Sequence, residues 1–296
     1  MEKDKQEFDP RLPKPREMLN NLEGPVGRIP ARARTGQTKS VKILVVAREH
    51  SGFPVLGQFL TEENNFFVHG EPSALTGPAD LDTVPNLLNC VLGPGLVQNF
   101  SALMRTEFGQ SPYFRRHCLQ GSATVCSDPL SYETFCSGFP HQVLRARHAS
   151  LQTAREILRE NGDIAVIFLV RDPRGSLRDS SLAPDVLCSD LARDWEEALS
   201  LLSDFPDQFS LARYESLAVA PQTEMDNLLR SLGLPTFPSA MKSENNNNED
   251  DWNPKKNSIV RVNSWKTGLT NKELKSIENV CVETLSKMEY QLLSAP

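Results

Sequence analysis

At 296 residues the chain can bury one large α/β core or two small ones, and its 39% hydrophobic and 24% charged content excludes collagen-like and wholly disordered classes. The formal charge of −6 is uneven: residues 1–50 hold 11 Lys+Arg against 7 Asp+Glu, leaving 21 against 31 for the remainder. An acidic body disfavours phosphate-driven association, so no nucleic-acid partner is expected, and no apolar run approaches the roughly 20 residues of a membrane-crossing helix.

Residues 1–39 are rich in Pro, Gly, Arg and Lys without periodicity and read as a flexible basic arm, with an ordered domain over 40–296. Val41–Val46 predicts a first buried strand, stopped by Ala47-Arg-Glu-His-Ser-Gly-Phe-Pro54. A helix is expected from about Val55, with Pro54 in its first turn. Asn65–Gly70 reads as a short strand delivering Glu71-Pro72, which completes a βαβ unit. Residues 80–140 read as irregular, with a helical hint over Val97 to Phe108. The βα rhythm then returns: a strand over His141–Arg147, an amphipathic helix near Ser150 to Glu160, and a strand at Ile164–Val170. A helix near Ser189 to Ser203, a strand at Phe209–Tyr214 and a helix from Gln222 to Leu232, closed by Gly233, complete it. Residues 242–256 read as a low-complexity surface insertion, and a last amphipathic helix is expected over about 271–290. This alternation predicts an α/β fold, a parallel sheet flanked by helices on both faces.

The run Ile164–Val170 ends in Arg171-Asp-Pro-Arg174-Gly-Ser, a charged turn at the carboxyl edge, where open α/β sheets bind ligands. Two guanidiniums three residues apart are expensive to bury without an anion, and a phosphate would serve. Pairing of Arg171 with Asp172 or Asp179 is the structural alternative. Six cysteines contain no CxxC pair, so no metal site is expected. Cys118, Cys126 and Cys136 cluster in a polar stretch, as in a disulfide-stapled lumenal loop, though six unrelated cytosolic thiols fit too. Asn99-Phe100-Ser101 is a glycosylation sequon.

Several separated pieces fall in one order: the strand with its Ser51-Gly52 turn, Glu71-Pro72, Arg171-Asp-Pro-Arg174, Arg213-Tyr-Glu-Ser-Leu-Ala218 with Pro221, and Asn257-Ser258 ahead of Ser264-Trp265-Lys266. Over roughly residues 41–292 that order resembles the Golgi carbohydrate sulfotransferases, the galactose, N-acetylglucosamine and N-acetylgalactosamine 6-O-sulfotransferase family. The resemblance implies a P-loop-like fold that takes 3′-phosphoadenosine 5′-phosphosulfate as donor and passes its sulfuryl group to a sugar hydroxyl, O6 in this family, of a glycan acceptor. It places Arg48, His50, Ser51 and Gly52 near the phosphosulfate, Arg171 and Ser180 on the 3′-phosphate, and Arg213, Lys256 and Trp265 around the nucleotide. Glu71 becomes the general base, drawing off the acceptor proton. It also implies the Golgi lumen, although neither a signal peptide nor an anchor is visible in the sequence.

The chain departs from the family pattern in its first loop. Spacing to Glu71 sets the family Arg at His50 and the two serines at Phe53 and Pro54. The register that keeps Arg48 breaks that spacing. Proline has no N–H to offer an oxyanion. The eighth residue after Arg171 is Asp179 where the family has Ser, with Ser180 one further on, and a family Lys becomes Leu144, for which Arg145 could compensate. A catalytically silent relative that binds glycan or protein is therefore the rival reading. A P-loop nucleotide kinase or NTPase is a third, weaker reading, because the chain has no GxxxxGK(S/T).

Overall fold

The computed structural model describes residues 40–64, 66–70, 80–105, 111, 114–115, 117–118, 125–146, 149–178, 182–234, 236 and 260–293. In chain order the elements are β1 (Val41–Ala47), α1 (Phe53–Asn64), β2 (Phe66–His69), α2 (Asp80–Leu88), α3 (Pro94–Gln98), α4 (Phe100–Leu103), α5 (Pro129–Ser137), β3 (His141–Ala146), α6 (Leu151–Glu160) and β4 (Ile164–Val170). There follow α7 (Pro173–Arg178), α8 (Pro184–Asp204), β5 (Phe209–Arg213), α9 (Tyr214–Val219), α10 (Pro221–Ser231), α11 (Ser264–Gly268) and α12 (Asn271–Lys287). Among its described residues, the stretch read as irregular holds the short helices α2 to α5 and a 3-10 turn at Val125–Ser127. None exceeds nine residues, and Pro85 sits inside α2, so apolar periodicity is weak there and burial of residues such as Val84, Leu88, Phe100 and Tyr132 stabilises them.

All five strands are parallel in the order β2-β3-β1-β4-β5. Alternation along each strand separates two cores. Leu44, Val46, Leu144, Val166 and Phe168 face α2, α6, α8 and α12. Ile43, Val45, Val143, Ile167 and Leu169 face α1, α9 and α10. The helix ends follow local chemistry. Ser150 caps α6 by accepting from Thr153 N at 3.0 Å, and Asp128 caps α5 ahead of Pro129. Thr270 and Glu273 form a reciprocal capping box on α12.

From β1 the chain leaves past β3 to β2, whereas from β4 it leaves the other way to β5. The connections therefore diverge between the carboxyl ends of β1 and β4, which is the topological switch point where this sheet class opens a crevice. Disulfides join Cys90 to Cys136, Cys118 to Cys126 and Cys188 to Cys281, the last tying α8 to α12. The polar cluster thus contributes one internal pair, while Cys136 reaches back to Cys90. No helix among the described residues is long and apolar enough to cross a membrane.

Candidate functional site

The switch point is built by the turns after β1, β4 and β5. After β1 the backbone enters the left-handed region twice, at His50 (φ 57°) and Gly52 (φ 93°), with Ser51 N donating to Arg48 O at 3.2 Å between them. This turn leads into the N-terminus of the twelve-residue helix α1, the end of a helix that favours an anion. Gly52 is required here on two counts. Its φ favours glycine, and a Cβ would overlap the Tyr214 ring, 2.5 Å from Cε2 and 2.8 Å from Cγ.

Arg171, 5% exposed, leaves the end of β4 and crosses to that loop, where Nη1 donates to His50 O at 2.8 Å. Its guanidinium carbon lies 4.7 Å from the Tyr214 ring centroid, and Nη2 is 3.4 Å from Arg261 O. Gly175 packs against the same group: a Cβ there would stand 3.0 Å from Arg171 Nε and 3.3 Å from Trp265 Cδ1. One planar cation therefore joins the loops after β1, β4 and β5 to the chain around α11.

Arg174 has a different part. Its guanidinium takes both oxygens of Asp172, Nε to Oδ1 at 3.0 Å and Nη2 to Oδ2 at 2.8 Å, and also pairs with Glu278 of α12. Burial works against its charge, but Asp172 and Glu278 outweigh that and raise its pKa. Of the two arginines in the turn, Arg174 is neutralised by protein carboxylates and fastens the turn to the last helix. Asp172 is thereby committed to Arg174.

The other expected site residues are distributed as follows. Ser51 and Gly52 lie in the β1 loop beside Arg171, and His50 supplies its carbonyl to that guanidinium. Arg48 turns to the opposite side and binds Asp194 of α8 through Nε at 2.8 Å and Nη2 at 2.6 Å. Burial raises the Asp194 pKa, against the pull of Arg48. Arg213 donates to Met288 O at 2.9 Å and lies over the rings of Trp195 and Tyr290, on the α8 and α12 side of the sheet. Trp265 is 3% exposed, with the Arg174 guanidinium 4.1 Å from its ring centroid, so it buttresses the turn rather than offering an open face to a base. Glu71, Ser180 and Lys256 lie outside the described residues, as do Asp179 and the insertion at 242–256.

Phe53 and Leu144, two of the residues that depart from the family pattern, are both buried. Leu144 is in the core, while Phe53 packs on Gly57 with Arg145 above it, 4.9 Å from guanidinium carbon to ring centroid. Arg145 is therefore on the α1 face, near the carboxyl edge of β3. Sequence reasoning missed Tyr214 as the residue against which loop and cation pack. Its signal was the pairing of a glycine in a turn with an aromatic directly after another strand.

His69 closes β2 two residues before Glu71. It is 1% exposed, its Nδ1 is 2.8 Å from Tyr132 Oη, and burial lowers its pKa to about 3. Between pH 6.5 and about 3 the unfolded chain takes up a proton that the folded one refuses, so stability falls as pH is lowered through that window. The slope from this group is about 1.4 kcal/mol per pH unit. His69→Gln is expected to lessen the loss of stability between pH 7 and pH 4.5 measured by urea unfolding, leaving the part due to His141, whose pKa burial also lowers. Parallel losses in both proteins would contradict this.

No family model matches this chain, and no curated relative does either. Solved structures do. A sulfotransferase domain from the curacin biosynthetic pathway is similar at 16% identity and TM-score 0.50, over 86% of this chain and 99% of that one. A sulfotransferase domain from the Synechococcus PCC 7002 olefin synthase follows at 16% identity and TM-score 0.48, over 87% and 98%. Mouse sulfotransferase SULT7A1, complexed with PAP, has 12% identity and TM-score 0.42 over 85% and 89%. The chain has the sulfotransferase fold, with its five-stranded parallel sheet between helices.

Proposed function

We propose that this chain is a carbohydrate sulfotransferase, moving a sulfuryl group from 3′-phosphoadenosine 5′-phosphosulfate to a sugar hydroxyl, O6 in our reading, of a glycan. The observation that carries this reading is the 2.8 Å bond from Arg171 to the His50 carbonyl, which brings a buried cation at one rim of the sheet onto the anion-cradling loop of the other. The residues fit a nucleotide charged at both ends. Arg171 supplies a fork of donors at the β4 rim for the 3′-phosphate, with Ser180 assigned beside it. The N–H groups of Gly52 and Phe53, at the α1 N-terminus, meet the phosphosulfate, the Ser51 N–H being given to Arg48 O. In the reaction the acceptor oxygen bonds to sulfur as the bond from sulfur to the bridging oxygen of the 5′-phosphate breaks, the hydroxyl proton passes to Glu71, and adenosine 3′,5′-bisphosphate leaves. Three closed disulfides support a lumenal setting such as the Golgi.

Transfer of labelled sulfate from the donor to desulfated glycosaminoglycans tests the assignment. Glu71→Gln is expected to lower kcat by about 100-fold or more, the usual size of a general-base contribution, with little change in donor affinity. Activity that survives both Glu71→Gln and Arg171→Ala would remove these roles.

One observation favours a second reading. Pro54 occupies the second position of α1 and has no N–H, and Phe53 stands where the family has a hydroxyl. A silent relative would keep the fold and bind glycan or protein without turnover. Calorimetry with adenosine 3′,5′-bisphosphate separates the two: micromolar binding supports the donor site, and no binding at millimolar ligand supports the silent relative.

A further inference from the structure

We infer that Asn99 carries an N-linked glycan, an oligosaccharide rooted on N-acetylglucosamine. Asn99-Phe100-Ser101 is the chain's only Asn-X-Ser/Thr sequence in which X is not proline. A sequon alone says little, because such triplets also arise in proteins that never meet the glycosylation machinery. Its placement and the state of the cysteines say more.

Asn99 is the joint between α3 and α4, and both Asn99 and Ser101 are exposed while Phe100 between them is 2% exposed. The triplet therefore presents its amide and hydroxyl on the outside and roots itself in the core by the middle residue, whose ring lies 5.9 Å from that of Tyr132. The surface beside it is open: among the described residues, nothing lies within 4 Å of where a Cβ would stand on Gly93 or Gly95. In the folded chain the Asn99 amide donates to Gly95 O at 3.1 Å. A glycosylated asparagine amide keeps one N–H, so this bond and the glycan are compatible. The five-residue and four-residue helices on either side have little intrinsic stability, which allows the joint to open for a catalyst.

The independent observation is chemical. All six cysteines are paired, at sequence separations of 8, 46 and 93 residues, and such a set closes in the oxidising compartment that also holds the glycan donor. Asn99 lies inside the loop closed by Cys90 and Cys136, so modification and oxidation concern the same segment. In the step itself, Asn99 Nδ2 bonds to the anomeric carbon of a polyprenyl-diphosphate-linked oligosaccharide. The bond from that carbon to the diphosphate oxygen breaks, the polyprenyl diphosphate leaves, and one amide proton passes to the catalyst's base.

The test uses the full chain behind a cleavable secretory leader in animal cells, read by mobility before and after peptide-N-glycosidase. One deglycosylation step is expected for the unaltered chain and none for N99Q or S101A, with S101T keeping it. A second readout treats chain from its native cells with the glycosidase in ¹⁸O water, where ¹⁸O-labelled aspartate is expected at position 99. An unshifted chain in the secretory pathway, a shift that persists in N99Q, or only unmodified Asn99 in native material would overturn the inference. None of these outcomes depends on sulfotransferase activity.

Discussion

Arg171→Met is expected to weaken binding of adenosine 3′,5′-bisphosphate by about 100-fold. Breaking a buried, hydrogen-bonded charge pair costs about 3 kcal/mol or more, and each 1.4 kcal/mol is roughly a factor of ten in affinity. Arg171→Lys is expected to fall nearly as far despite its charge. The guanidinium satisfies the His50 carbonyl from one edge and lies against the Tyr214 ring, and its planar fork can serve a phosphate in the same geometry. An ammonium on a flexible stem can meet the carbonyl or the phosphate. Arg213→Met is the comparison: that cation is spent on Met288 O and two rings on the far side of the sheet, so its loss should lower the melting temperature and leave affinity within about threefold. Calorimetry of the three variants decides the matter. Arg171→Met binding within about threefold of the unaltered protein would end the assignment of the 3′-phosphate to this residue.

How much of this was legible in the chain depends on the range of each interaction. The sheet was readable because Val41–Val46 and Ile164–Val170 are β-branched runs bounded by turn residues, and the helices between them carry amphipathic spacing. Helix α7 was not, since Pro173 and Gly175 read as turn signals. What makes it a helix is Pro173 in its first position and the Asp172 carboxylate accepting from Arg174 N at 2.9 Å. The charged turn lies at the switch point, but the expectation that its arginines meet an anion fails for Arg174, which protein carboxylates neutralise. Arg174 is answered by Glu278, 104 residues away, and Arg48 by Asp194, 146 residues away. Nothing local in the sequence carries such pairings. A basic side chain beside a ligand loop looks the same in sequence whether it serves the ligand or the scaffold, and the distant carboxylate decides which.

Gly52→Ala is expected to destabilise the protein by about 2–5 kcal/mol and to abolish donor binding with it. Two costs combine: roughly 1–2 kcal/mol for a side chain in left-handed backbone and about 1–3 kcal/mol for forcing a methyl into a packed ring. The ring cannot retreat easily, because Tyr214 is 3% exposed and the Arg171 guanidinium lies over it, so displacing it also loosens the bond to His50 O. The two costs separate in a double-mutant cycle. Tyr214→Ala alone loses packing, but in the Gly52→Ala background it should relieve the overlap, giving a favourable coupling of about 1 kcal/mol or more and leaving only the backbone cost. Chemical denaturation measures all four proteins, and calorimetry shows whether the relieved double variant regains affinity. Additive losses, or a Gly52→Ala protein as stable as the original, would mean that the β1 loop is not clamped by Tyr214. The route from the β5 turn through Tyr214 and Arg171 to the anion cradle would then lose its first link.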